Sequence, residues 1–197
     1  SIRFGDYEDE GKTMSTVFIG GSRRIARLND AIRARVQNIV NEGMTIVIGD
    51  ANGADKAIQK ILDEAGYRNV VVYFSGGVCR NNIGNWETHQ VSPGNGKRGF
   101  WFYAAKDIAM SRVADYGFMI WDGESVGTVH NVLNMLGGGK LVVVYFAPEK
   151  GFANLRTSGD LAELLDRCPA EAVRNFERQL DLAARMHARS VNLSMAQ

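Results

Sequence analysis

Five apolar runs punctuate the chain, each separated from the next by stretches of different periodicity. The runs cover residues 16–19, 44–48, 70–74, 116–121 and 141–146. None alternates apolar with polar residues, as expected of strands buried on both faces of a parallel sheet. After the first run, Ile25, Leu28, Ile32, Val36 and Ile39 recur at helical spacing. After the second, Ala57, Ile58, Ile61 and Leu62 mark the inward face of a helix over 54–65. Gly43 and Gly66 stand where those helices end, as left-handed caps do. Three more helices are predicted over 100–113, 160–168 and 170–190, with Pro169 opening the last. Val173, Phe176, Leu180 and Ala183 give that last helix an apolar stripe.

This alternation predicts an α/β fold: a doubly wound, mainly parallel, five-stranded Rossmann-like sheet with helices on both faces and additional C-terminal helices. Residues 1–15 are polar and aperiodic and read as a flexible N-terminal arm. Residues 16–190 read as a single nucleotide-binding domain that includes the C-terminal helices over 160–190. One segment, 75–99, is rich in Gly and Asn and too long for a plain connection, so it reads as a functional loop.

Composition narrows the function classes. The 197 residues are 45% hydrophobic and 23% charged, with a net charge of +1. That is a globular composition without the basic excess of a dedicated nucleic-acid binder, and no apolar run is long enough for a membrane span. Cys79 and Cys168 read as reduced thiols of a cytoplasmic protein. No Cys/His cluster has metal-ligand spacing, so neither a metal nor another cofactor is expected.

The chemistry is expected at strand ends. If the runs order 3-2-1-4-5 in the sheet, the topological reversal falls between the first and fourth, where open parallel sheets bind ligands. Gly20, Gly21, Ser22 and Arg23 follow the first run; Asp122, Gly123, Glu124 and Ser125 follow the fourth, with Gly127 and Thr128 just beyond. Glycines admit close backbone approach, helix-start N–H groups favour anions, and Arg23 adds a charged fork suited to phosphate. Gly49, Asp50, Gly53 and Asp55 follow the second run. Gly53 permits close helix–sheet packing, while Asp50 or Asp55 either accepts from a ribose hydroxyl or positions the neighbouring loop. Asp55 also suits the start of a helix on electrostatic grounds alone.

These segments together resemble the SLOG superfamily, the Rossmann-like group containing the DprA and LOG families. The matching pieces are FIGGSR (18–23), GDANGADKA (49–57), KDIAM (106–110) and ADYGFMIWDGESVGT (114–128). Their order is most similar to the YspA-like branch, and the resemblance covers roughly 16–147. It implies a nucleotide or nucleotide-derived ligand over residues 20–23 and 122–128, with Lys106 as a further contact. LOG phosphoribohydrolases carry a glutamate three residues beyond the Gly-Thr pair; here that position is Asn131.

Three functions remain open. The first is a nucleotide binder of sensor or carrier type. The second is an enzyme acting on an N-glycosidic bond, either a phosphoribohydrolase or similar to a deoxyribosyltransferase. Its candidate catalytic residues are Glu87 and Glu124, with Asp107 a further carboxylate. The third is a DprA-like single-stranded DNA binder using Arg23, Arg24, Arg27, Arg33 and Arg35, although the near-neutral charge makes a nucleic-acid partner the unfavoured case. The apolar stripe of the last helix and the aromatic stretch 100–103 also suggest a homo-oligomer. Trp86 reads as a loop anchor, and His130 and His187 as structural residues without partners.

Overall fold

The computed structural model describes residues 14–186, so most of the expected N-terminal arm, and His187, lie outside the described residues. Strands β1 (Thr16–Gly21), β2 (Thr45–Gly49), β3 (Val70–Ser75), β4 (Glu87–Val91), β5 (Tyr116–Trp121), β6 (Leu141–Phe146) and β7 (Gly151–Leu155) form one sheet. Its order is β4-β3-β2-β1-β5-β6-β7. All neighbours pair in parallel except β6 and β7. The five apolar runs occupy β3-β2-β1-β5-β6, the order on which the location of the crevice depended. The reversal falls between β1 and β5.

Seven strands replace the expected five. The two additions lie at the edges, where a strand has solvent on one side and needs no apolar run. In β4, residues Glu87 to Gln90 are all exposed; in β7, Phe152 and Asn154 are exposed, and Lys150 (φ 52°) makes the turn before the strand. Part of the predicted 75–99 loop is therefore sheet.

Successive residues along each central strand alternate between two helix layers. Val17, Ile19, Ile46, Ile48, Val72, Phe118 and Ile120 pack with α1 (Asp30–Asn41) and α2 (Ala54–Glu64) on one face. Phe18, Val47, Tyr73, Met119, Trp121 and Val144 pack on the opposite face with α3 (Gly99–Val113), α4 (Val126–Gly137), α5 (Ser158–Leu165) and α6 (Ala170–Leu180). This is the doubly wound arrangement, with the C-terminal helices part of the core. Phe176 of α6 is fully buried, its ring 5.9 Å from that of Trp121.

One boundary differs in a way that matters. The first helix starts at Asp30, and Ile25 and Leu28 belong to a half-buried loop packed on the α1 face. Asn29 sets the start: its Oδ1 accepts from Ile32 N (3.0 Å), while its Nδ2 donates to the Tyr145 hydroxyl (2.6 Å). The residues after β1 thus do not open a helix directly.

Because α6 shares the central core, Phe176→Ala should destabilise the whole protein by about 3–5 kcal/mol. Urea denaturation followed by far-UV circular dichroism would measure this. A loss well under 1 kcal/mol would mean that α6 is an appendage.

Candidate functional site

The loop after β1 is held to three neighbours by one residue. Ser22 N donates to Ile120 O (2.9 Å), and Ser22 O accepts from Ala54 N, the first residue of α2 (3.1 Å). The Ser22 hydroxyl donates to Asp122 Oδ2 (2.7 Å) and accepts from Arg24 N (3.1 Å). This stitching needs glycines on both sides. A Cβ at Gly21 would lie 2.3 Å from Ile120 O, and one at Gly53 (φ 82°) 2.3 Å from Arg23 O. Asp122 organises the opposite loop: its Oδ1 accepts from Glu124 N (3.0 Å) and Ser125 N (2.8 Å). Gly123, at φ 79°, makes that turn.

Between these loops lies a cleft of about 570 Å³. Of the sequence-predicted residues, Gly20, Gly21, Ser22, Arg23, Asp55, Lys106, Asp122, Glu124, Ser125 and Gly127 line it. Gly49, Asp50, Gly53, Gly123 and Thr128 do not line it. Thr128 donates to the Ser125 hydroxyl (3.2 Å) rather than presenting its own to the cleft. Glu87 is not brought to the site. It opens edge strand β4, exposed and in register with Val71, two strands beyond β2 and away from the β1/β5 reversal. The local reason is Trp86, whose indole donates to Tyr67 O (2.7 Å) and seats the segment against the α2 side.

The carboxylates differ sharply in environment. Asp50 receives Arg80 three times, from the backbone N (3.0 Å), Nε (2.9 Å) and Nη2 (2.6 Å). Although burial opposes its charge, Arg80 holds the Asp50 carboxyl below its ordinary value. Asp50 therefore positions the neighbouring segment and is not free to take a ribose. Asp55, in the first turn of α2, is buried and accepts from Ala51 N (3.3 Å). Desolvation pushes it up to about 6, against the attraction of Lys106. Lys106 is buried beside it and donates to Asp107 Oδ1 (2.6 Å). Burial disfavours its charge, but Asp107 and Asp55 outweigh that and raise its pKa. Gly49 makes room for this cluster, since a Cβ there would meet Asp55 Oδ2 at 2.5 Å and Lys106 Nζ at 2.8 Å. Glu124 pairs with Arg24 in an exposed ion pair.

Several participants escaped the sequence. Gln59, fully buried on α2, donates to Gly49 O (2.9 Å) and Asn81 O (3.2 Å) and accepts from Ile83 N (3.0 Å). A polar residue four positions beyond Asp55 on the helix face that also carries Leu62 was the available signal. Tyr103, read as core or interface, lines the cleft with Arg23 and Arg80 over its ring at 5.2 and 4.8 Å. Among the described residues Arg23 has no carboxylate partner. Of the other arginines near α1, Arg33 reaches Glu64 at 4.0 Å and Arg35 covers the Phe152 ring. His130 is not partnerless: Arg185 Nη1 and Asn134 Nδ2 each lie 3.0 Å from its ring nitrogens, and burial, then Arg185, lowers its pKa to about 4.

Asp55 gives a pH signature. Between its ordinary value of 3.8 and about 6, the unfolded chain has released a proton that the folded chain retains. The stabilisation from this group is complete below pH 3.8 and is lost as pH rises through about 6. Relative to Asp55→Asn, the wild type should lose on the order of 3 kcal/mol across that window. Urea denaturation of both proteins at several pH values checks this; a pH-independent difference would contradict the assignment.

Comparisons with known proteins are sparse. No family model matches the chain, and no curated protein does. Among the described residues, no helix is long and apolar enough to cross a membrane. Among solved structures the chain is similar to the X-ray structure of DNA processing protein A (DprA) from Streptococcus pneumoniae. The identity is 16% and the TM-score 0.49, over 66% of this chain and 50% of that one. This chain thus spans about half the length of that structure.

Proposed function

We propose that the cleft binds a nucleotide or nucleotide-derived ligand, with its phosphate between the β1 loop and the first turn of α4. The observation that carries this is Gly127. It lies in the first turn of α4, lines the cleft, and a Cβ added there would find nothing nearer than Ser125 Oγ at 4.0 Å. Backbone is therefore bare at a helix N-terminus, where N–H groups and the helix dipole favour an anion. Ser125, at the cap position, makes no side-chain bond to those N–H groups.

Charge around this end supports the same conclusion. Asp122 is engaged by three donors, and Glu124 is paired with Arg24. Arg23 is held against Tyr103 and, among the described residues, has no carboxylate of its own. An incoming phosphate thus meets an uncompensated guanidinium, while the nearby carboxylates are already satisfied. Asn131 lines the same cleft where a phosphoribohydrolase would carry glutamate, which favours a sensor or carrier over a hydrolase. The YspA-like resemblance leads to the same ligand class.

Isothermal titration with adenosine and guanosine mono- and diphosphates, ADP-ribose and cyclic nucleotides tests this. At least one should bind saturably and, at 100 times its Kd, stabilise the fold by about 2.7 kcal/mol. Gly127→Leu should fill the cradle and weaken that ligand at least about tenfold, without lowering the apo melting temperature. Absence of binding by every compound would overturn the proposal.

A further inference from the structure

The donor-rich end of the cleft does not close at its wall. Arg24 of the β1 loop and Glu124 of the β5–α4 loop form an ion pair that spans the two loops. Both line the cleft, and both also line a second groove of about 670 Å³ beside α6, as does Asn175. The pair therefore partitions two adjoining spaces, next to Arg23 in one loop and Ser125 in the other. Its side chains are 74% and 51% exposed, and an ion pair so exposed is held weakly, so it yields readily to a competing anion.

The groove's other wall is the outer face of α6. Phe176 and Leu180, buried in the core, fix that helix. Arg174 and Arg178, four residues apart and therefore neighbours on its surface, are exposed along the groove. Neither takes part in an ion pair among the described residues. Asn175 Oδ1 accepts from Arg178 Nη2 (2.7 Å) and Gln179 Nε2 (2.8 Å), which leaves its Nδ2 without an acceptor among the described residues. Glu171 is the one unpaired carboxylate along the groove, against two unpaired guanidinium groups. Charge on an open helix face serves solubility, but these donors line a concave space that continues from the cleft.

We propose that this groove binds the second and third phosphoryl groups of a nucleotide whose first phosphate occupies the cradle, with Arg24 released from Glu124 to span the junction. This rests on the phosphate placement above. Glu124 precedes Gly127 by three residues and Arg24 directly follows Arg23, so a phosphate chain leaving the cradle meets the partition first. Guanidinium groups suit such a chain, because each presents a planar fork of N–H donors at permanent charge. Glu124 repels the same chain. The partition is thus a selector: a monophosphate leaves the pair closed, and a longer chain opens it.

Isothermal titration in magnesium-free buffer compares adenosine and guanosine mono-, di- and triphosphates with inorganic tripolyphosphate. The triphosphate of at least one base should bind about tenfold or more tighter than its monophosphate, the effect of an added charged hydrogen bond. Replacing both arginines, Arg174→Ala with Arg178→Ala, should remove that gain and leave monophosphate affinity and the melting temperature unchanged. Glu124→Gln should enlarge the gain, because it removes the competing carboxylate. Equal affinity for mono- and triphosphates would overturn the inference while leaving nucleotide binding intact. So would a gain that survives the double substitution or that Glu124→Gln fails to enlarge. If no nucleotide binds, tripolyphosphate separates the two readings. Binding that the double substitution abolishes would support the groove and remove only the nucleotide, whereas no binding would remove both.

Discussion

The cleft depends on the fixed position of Ser22. Its backbone N–H, carbonyl and hydroxyl join β5, the start of α2 and the β5–α4 loop, using every polar group the residue has. Two strand ends that merely adjoined would leave the intervening space to side-chain packing. Here the β1 loop is tied to the start of α2 on one side and to the end of β5 on the other, which fixes the walls of the crevice between β1 and β5. The close approach at Gly21 and Gly53 is the steric condition for this, since a methyl group at either would meet backbone. Asp122 completes the arrangement by ordering the opposing turn while anchoring the Ser22 hydroxyl.

The second organising feature is the division of charge beneath that stitch. Asp50 and Arg80 are spent on one another and on tying the 75–86 segment to β2, with Gln59 reinforcing the same tie. Asp55, Lys106 and Asp107 form a compact group beneath the cleft. Arg23 alone among these charges meets the cleft uncompensated, steadied by Tyr103. The cleft therefore has a donor-rich end at α4 and the β1 loop. Such polarity suits a molecule with an anion at one end.

Much of this was legible in the sequence, for definite reasons. The five central strands are apolar on both faces, so they stand out as runs, and the glycines that end β1 and β2 announce the site loops. The edge strands did not stand out, because the exposed residues of β4 carry no apolar signal. Ile25 and Leu28 imitated helical spacing although they pack as loop residues before the Asn29 cap. Arg80 lies 30 residues from Asp50, and Tyr103 is 80 residues from Arg23; pairings so distant leave no local pattern. Glu87 is a candidate on residue type alone, and its exposed neighbours carry no signal that it opens an edge strand. In the structure Trp86 is an anchor, and the His89 ring lies 4.6 Å from that of Tyr73.

The central claim is spatial: one ligand bridges the β1 loop and the first turns of α4. Amide chemical-shift mapping by ¹H–¹⁵N NMR during titration with a ribonucleoside 5′-monophosphate tests it most directly. The largest shifts should fall at Ser22, Arg23 and Arg24 and at Val126, Gly127 and Thr128. Saturable shifts confined to another surface, such as β4 around Glu87, would contradict the account.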